Sequence, residues 1–65
     1  MLSPHELTTL MVIKDAPEQV EIDRDELHTL LRRHLVIVEL LASGIRRPRV
    51  TRHGHAVLQA VARFH

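Results

Sequence analysis

The sequence predicts a small α+β domain with its elements in the order α-β-α-β-β-α, and three observations carry that prediction. Residues 35–41 (LVIVELL) are apolar apart from Glu39, and the consecutive β-branched Val36, Ile37 and Val38 favour a pleated, buried surface over a helix. Ser43-Gly44 supplies a turn, after which residues 46–51 (RRPRVT) return as an edge strand, because Pro48 cannot donate to a ladder. Helix-start signals lie on either side of this hairpin: Ser3-Pro4-His5-Glu6 near the beginning and Thr51-x-x-Gly54 after it.

The first helix opens with Ser3 as cap, Pro4 at the first helical position and Glu6 three residues after the cap, closing a capping box. Leu7, Leu10, Met11 and the stem of Lys14 fall at helical spacing, and Thr8, Thr9, Val12 and Ile13 widen the stripe. The helix is expected to stop near Asp15-Ala16, since the residue before Pro17 is pushed out of the helical region. Val20-Glu21-Ile22 alternates and reads as a short half-buried strand. The second helix begins at Asp23 or Arg24, with Asp23 the better cap and Asp25 and Glu26 suited to the positive end of the dipole, and runs to about His34. Leu27, Leu30 and Leu31 form its buried face, leaving Arg24, Asp25, His28, Thr29, Arg32 and Arg33 toward solvent.

A competing reading continues this helix through Leu41, because Leu27, Leu30, Leu31, His34, Leu35, Val38 and Leu41 also keep the helical period. The β-branched triplet favours the strand. The last helix is capped by Thr51, uses Gly54 for close packing, and carries the apolar stripe Val57, Leu58, Val61 and Phe64.

Sixty-five residues make one domain, spanning 1–65, with a modest core and no cysteine to staple it, so dimerisation is expected. The absence of cysteine is compatible with a reducing compartment. The first residues lack the charge and apolar core of a signal peptide, and no apolar run is long enough to span a bilayer; a cytoplasmic location and no membrane partner are expected.

The net charge is only +1, yet the charges are segregated. Residues 1–31 hold two basic residues (Lys14, Arg24) against seven acidic ones, net −5, whereas residues 32–65 hold seven arginines against Glu39 alone, net +6. A local positive field attracts a polyanion whatever the total charge. Arginine can also pair bidentately with phosphate or guanine. Four arginines, Arg46, Arg47, Arg49 and Arg52, fall within seven residues at the hairpin, with no acidic neighbour in sequence.

The glycine turn Ser43-Gly44, the arginine-rich return strand, the Leu35-Val36 pair and Val50-Thr51-x-x-Gly54-x-x-Val57-Leu58 together resemble the winged-helix regulators of the MarR and PadR type, over roughly residues 23–60. The resemblance implies a winged-helix-like domain in which the helix before the wing reads the major groove and the wing arginines contact backbone or minor groove. Carried onto this chain, those roles fall on Arg24, His28, Thr29, Arg32 and Arg33, then on Arg46, Arg47 and Arg49. The chain departs from that pattern in having room for one helix, not two, between the first strand and the wing. It also lacks the long flanking helices and ligand pocket of such repressors, so no small-molecule effector is expected.

The six histidines show no spacing that converges on a metal, His34 is expected to be partly buried, and no phosphate loop, nucleophile-base pair or paired carboxylates point to an enzyme or a cofactor. Two functions remain: a DNA-binding transcription regulator acting on duplex DNA, or a protein-interaction module docking through its apolar last helix. Val57, Val61 and Phe64 are expected to form a homodimer interface. Sedimentation at high micromolar concentration should then report a dimer that Phe64→Glu weakens; a monomer indifferent to that change would remove this expectation.

Overall fold

In the computed structural model, which describes residues 2–21 and 24–63, the turn chemistry of the sequence is visible element by element. Helix α1 (Pro4–Asp15) starts at a complete capping box. The Ser3 hydroxyl accepts from the Glu6 N–H at 3.2 Å, and the Glu6 carboxylate accepts from the Ser3 N–H at 2.9 Å. The helix ends at Ala16, as the following proline requires.

The buried face of α1 is Thr9, Leu10 and Ile13, whereas Met11 is half exposed. The expected stripe of Leu7, Leu10 and Met11 is therefore rotated. This helix is apolar on several sides, so spacing alone does not choose the face, and the choice is made by α2 and the sheet packing against Leu10 and Ile13.

The expected strand at Val20-Glu21-Ile22 is replaced by a 3-10 turn, Pro17–Gln19. Pro17 sets the backbone angle for the turn, and i to i+3 bonds close it from Gln19 N to Ala16 O (3.0 Å) and Val20 N to Pro17 O (3.3 Å). Val20 is buried as a single residue, and Ile22 lies outside the described residues. Alternation over three residues fits one inward side chain leaving a turn as well as it fits a strand. The observed order is therefore α-α-β-β-α, a small α+β fold, not α-β-α-β-β-α.

Helix α2 (Asp25–Arg32) places Arg24 at its N-cap with no side-chain cap bond among the described residues; the cap expected of Asp23 falls outside them. Leu27 and Leu30 are fully buried and Leu31 partly so. The helix stops at Arg32, two residues short of the expected end, in a Schellman closure. His34 N donates to Leu31 O (3.1 Å) and Leu35 N to Leu30 O (3.0 Å), with His34 in the left-handed region at φ 61°. His34 is consequently exposed, not partly buried, because the reversal turns it outward while Leu35 drops onto Leu30 in the core.

Strands β1 (Val36–Leu40) and β2 (Arg46–Val50) form the antiparallel hairpin, and the continuous-helix alternative is excluded. Gly44, at φ 88°, is the left-handed residue of a three-residue loop closed by Gly44 N to Leu41 O (2.8 Å) and Leu41 N to Ile45 O (2.9 Å). The register pairs Val36 with Val50, Ile37 with Arg49, Val38 with Pro48, Glu39 with Arg47 and Leu40 with Arg46. Val36, Pro48 and Val50 face the core, so Ile37, Glu39, Arg47 and Arg49 share the outer face.

Helix α3 (Arg52–Ala62) is capped by Thr51, whose hydroxyl accepts from Gly54 N at 3.0 Å and donates to His34 O at 2.8 Å. Gly54 is buried against the Leu35 backbone, between α2 and β1, and against Val50 of β2. A side chain there would collide with the Leu35 carbonyl oxygen and come within 2.7 Å of Val50 Cγ1. The core gathers Leu10, Ile13, Val20, Leu27, Leu30, Leu35, Val36 and Val50, with Val57 and Leu58 of α3 packed at its edge. No helix among the described residues is long and apolar enough to cross a membrane.

Two substitutions test this packing. Gly54→Ala should destabilise the domain by about 1–3 kcal/mol through overpacking against backbone that cannot yield. His34→Gly should stabilise it by about 0.5–1 kcal/mol by relieving the left-handed conformation. Urea unfolding followed by circular dichroism measures both.

Candidate nucleic-acid interface

The basic half of the chain is assembled from two pieces. One is the hairpin, where alternation along β2 sends Pro48 inward and Arg47 and Arg49 outward. The other is the junction of α2 and α3. The hydrogen bonds from Thr51 N to Leu35 O (3.0 Å) and from Thr51 Oγ1 to His34 O (2.8 Å) bring residues 32–34 beside residues 51–53. Arg33 and His53 therefore line one cleft, though twenty residues apart in sequence. Arg32 sits in the last turn of α2, where the carbonyl end of the helix dipole favours a cation.

The hairpin arginines are not unopposed. Glu39 lies directly across from Arg47 and diagonally from Arg49, and its carboxylate serves both: Arg47 donates to Oε1 at 2.8 Å and Arg49 to Oε2 at 3.3 Å. These arginines have no acidic neighbour along the chain, but the hairpin register brings one to them from the opposite strand. The signal was present in the sequence, because a three-residue loop closing on Gly44 pairs Leu41 with Ile45 and hence Glu39 with Arg47. The hydrogen bond from Arg47 holds the Glu39 carboxyl below the usual carboxylate range; partial desolvation opposes it, and the charge of Arg47 and the contact with Arg49 add to the lowering.

The α2 face divides into two ends. Arg24, His28, Arg32 and Arg33 are exposed as expected. Arg24 leans on Glu26 at 3.7 Å, however, and Asp25 adjoins it, so the start of the helix is acidic. Thr29 is half-buried, and its hydroxyl donates to the Asp25 carbonyl at 3.3 Å. Near the other end, the Arg33 charge contributes to lowering the Glu6 carboxyl, behind the larger effect of the Ser3 N–H and against some desolvation. Arg32, Arg33, Arg46 and Arg52 make no ion pair among the described residues. The positive surface thus runs over the end of α2, the start of α3 and the hairpin, and not along the whole of α2.

Val57 and Val61 are half-buried beside two open clefts between α1 and α3, Val61 lining both and Val57 the first. One, of about 570 Å³, is shared with Leu2, Leu7 and Leu35, and the other, of about 450 Å³, with Met11 and Leu58. Phe64 lies outside the described residues. Among the described residues no three histidine or acidic side chains converge as a metal site would require.

The clamp predicts a pH dependence. A carboxyl whose folded pKa is lowered contributes stability that is present above its unfolded value, near the ordinary 4.5, and is lost as pH falls through the lower folded value. The carboxyl carbon resonance of Glu39 should titrate with a midpoint below 4.5, and Arg47→Ala should move that midpoint upward. A Glu39 midpoint unchanged by Arg47→Ala would contradict the pairing. Comparison with protein-family models, with curated proteins and with solved structures finds no match, and the surface stands on its own chemistry.

Proposed function

We propose that this chain is a small DNA-binding protein, acting in transcription regulation, with its hairpin serving as a wing. The observation that carries the reading is the concentration of arginine on one part of a nearly neutral molecule. Residues 32–65 hold seven arginines and one acid, and Arg32, Arg33, Arg46, Arg49 and Arg52 are all exposed. Long, exposed guanidinium groups on a hairpin edge and around a helix junction suit the contour of a phosphate backbone. In this reading Arg46, Arg47, Arg49 and Arg52 hold phosphates, while His28 and Arg32 at the exposed face of α2 are the side chains offered to base edges.

A second reading has its own observation. The clefts flanking Leu7 and Val61 leave apolar surface uncovered between α1 and α3, and Ile37, Leu40 and Ile45 of the hairpin are each more than half exposed. A protein partner, or a second copy meeting at Val57 and Val61, would cover such surface. Salt separates the two readings, because phosphate contacts release counterions and apolar contacts do not.

Titrating the protein against random duplex DNA at two salt concentrations should show affinity falling steeply with salt. The Arg46→Ala/Arg47→Ala/Arg49→Ala triple variant should bind more weakly across all sequences, with the salt slope reduced by about one for each phosphate no longer neutralised. Arg32→Ala should instead change preference among sequences, at about 1–3 kcal/mol. A folded protein without salt-sensitive DNA binding at low ionic strength would remove the regulator reading and leave the interaction module.

A further inference from the structure

We infer that Glu39 is a built-in competitor for the wing: its carboxylate occupies Arg47 and Arg49 as a nucleic-acid phosphate would, and so limits how tightly the hairpin grips DNA. The inference rests on the DNA-binding reading and concerns the regulation of that same surface.

Three observations lead to it. Glu39 is the single acidic residue between positions 32 and 65, and it stands in the middle of the only described face on which two arginines are paired. Its two oxygens are divided between two guanidinium groups, at 2.8 and 3.3 Å, which is how the two non-bridging oxygens of a phosphate would be shared by the same pair. Finally, Glu39 lies on the outer face of the hairpin and not among the core residues. Glutamate is a poor strand former, and the partners are open to solvent, with the Arg47 and Arg49 side chains 42% and 67% exposed. Exposed ion pairs of this kind add little to stability.

The larger effect is electrostatic. With Glu39 ionised, the outer face of the hairpin presents one net positive charge where it would otherwise present two, and a phosphate must displace a resident anion before it meets either arginine. Arg46 carries no such restraint among the described residues. The hairpin therefore keeps one arginine ready and two held, which weakens binding at any sequence and leaves discrimination to α2.

The test is fluorescence anisotropy with random duplex DNA at two salt concentrations. Glu39→Gln keeps the shape of the side chain and removes its charge. It should bind about three- to tenfold more tightly at low salt, with the salt slope steeper by up to about one for each additional phosphate neutralised. Glu39→Thr, a neutral residue that favours strands, should do the same, which guards against an effect peculiar to glutamine. In an Arg47→Ala/Arg49→Ala background the gain should vanish, since the coupling is between these side chains. Asp15→Asn, an equal change of charge on α1 beside the α1–α3 cleft, should give a smaller rise.

Glu39→Gln binding no more tightly than the parent would overturn the inference while leaving the DNA reading intact, provided the parent binds. A gain that survives loss of both arginines, or that Asp15→Asn matches, would overturn it as a general charge effect. If neither parent nor Glu39→Gln binds in a salt-dependent way, the DNA reading and this inference fall together.

Discussion

The structure depends on the backbone knot at Leu35. Its N–H closes α2 by donating to Leu30 O, its carbonyl accepts from Thr51 N, and its side chain is buried against Leu30 and Val36. Thr51 then uses one hydroxyl for two tasks, donating to the His34 carbonyl and accepting from Gly54 N, so the carbonyl after one helix and the free N–H at the start of the next are satisfied together. Gly54 lets α3 sit directly on the Leu35 carbonyl, which no larger residue could do without moving one of the two segments. In a domain with so small a core, fixing three elements at one point removes freedom that side-chain packing alone would leave.

The same knot explains why the molecule is basic where it is. Arg32 and Arg33 leave α2 just before it, and Arg52 and His53 enter α3 just after Thr51. Joining His34 to Thr51 brings these side chains to one region, and the peptide dipole at the end of α2 tolerates the cations it gathers there. Packing is less complete farther along α3. Val57, Leu58 and Val61 only half bury themselves, and the clefts on either side of Leu7 are what remains when an eleven-residue helix is anchored at one end.

The hairpin divides its work by face. Val36, Pro48 and Val50 turn inward and tie the sheet to α1 and α2, while Glu39, Arg47 and Arg49 turn outward and form a charged strip whose net value is set by one carboxylate. Pro48 suits both roles: its ring fills the inner layer, and a strand with one free edge can do without its N–H. Stability resides on one face and charge on the other, so the outer residues can change without disturbing the core.

The sequence by itself determined what local chemistry can determine. Ser3-Pro4-x-Glu6 set the start of α1, Pro17 its end, Thr51 the cap of α3, and the β-branched run with Ser43-Gly44 the hairpin, because caps, prolines and turns act within a few residues. Segregation of charge was equally legible. Tertiary structure decided the rest, wherever a choice hung on residues far apart. The face of α1 turned on what packs against Leu10 and Ile13, and Val20 became an inward residue after a turn because a two-stranded sheet took no third partner among the described residues. The early stop of α2 at a left-handed histidine was hidden, since glycine is the usual marker of that reversal and His34 carries none of its signature. The Glu39 clamp lay between these cases, readable from the register once the loop length was known, yet invisible to a reading that looked for acidic neighbours only along the chain.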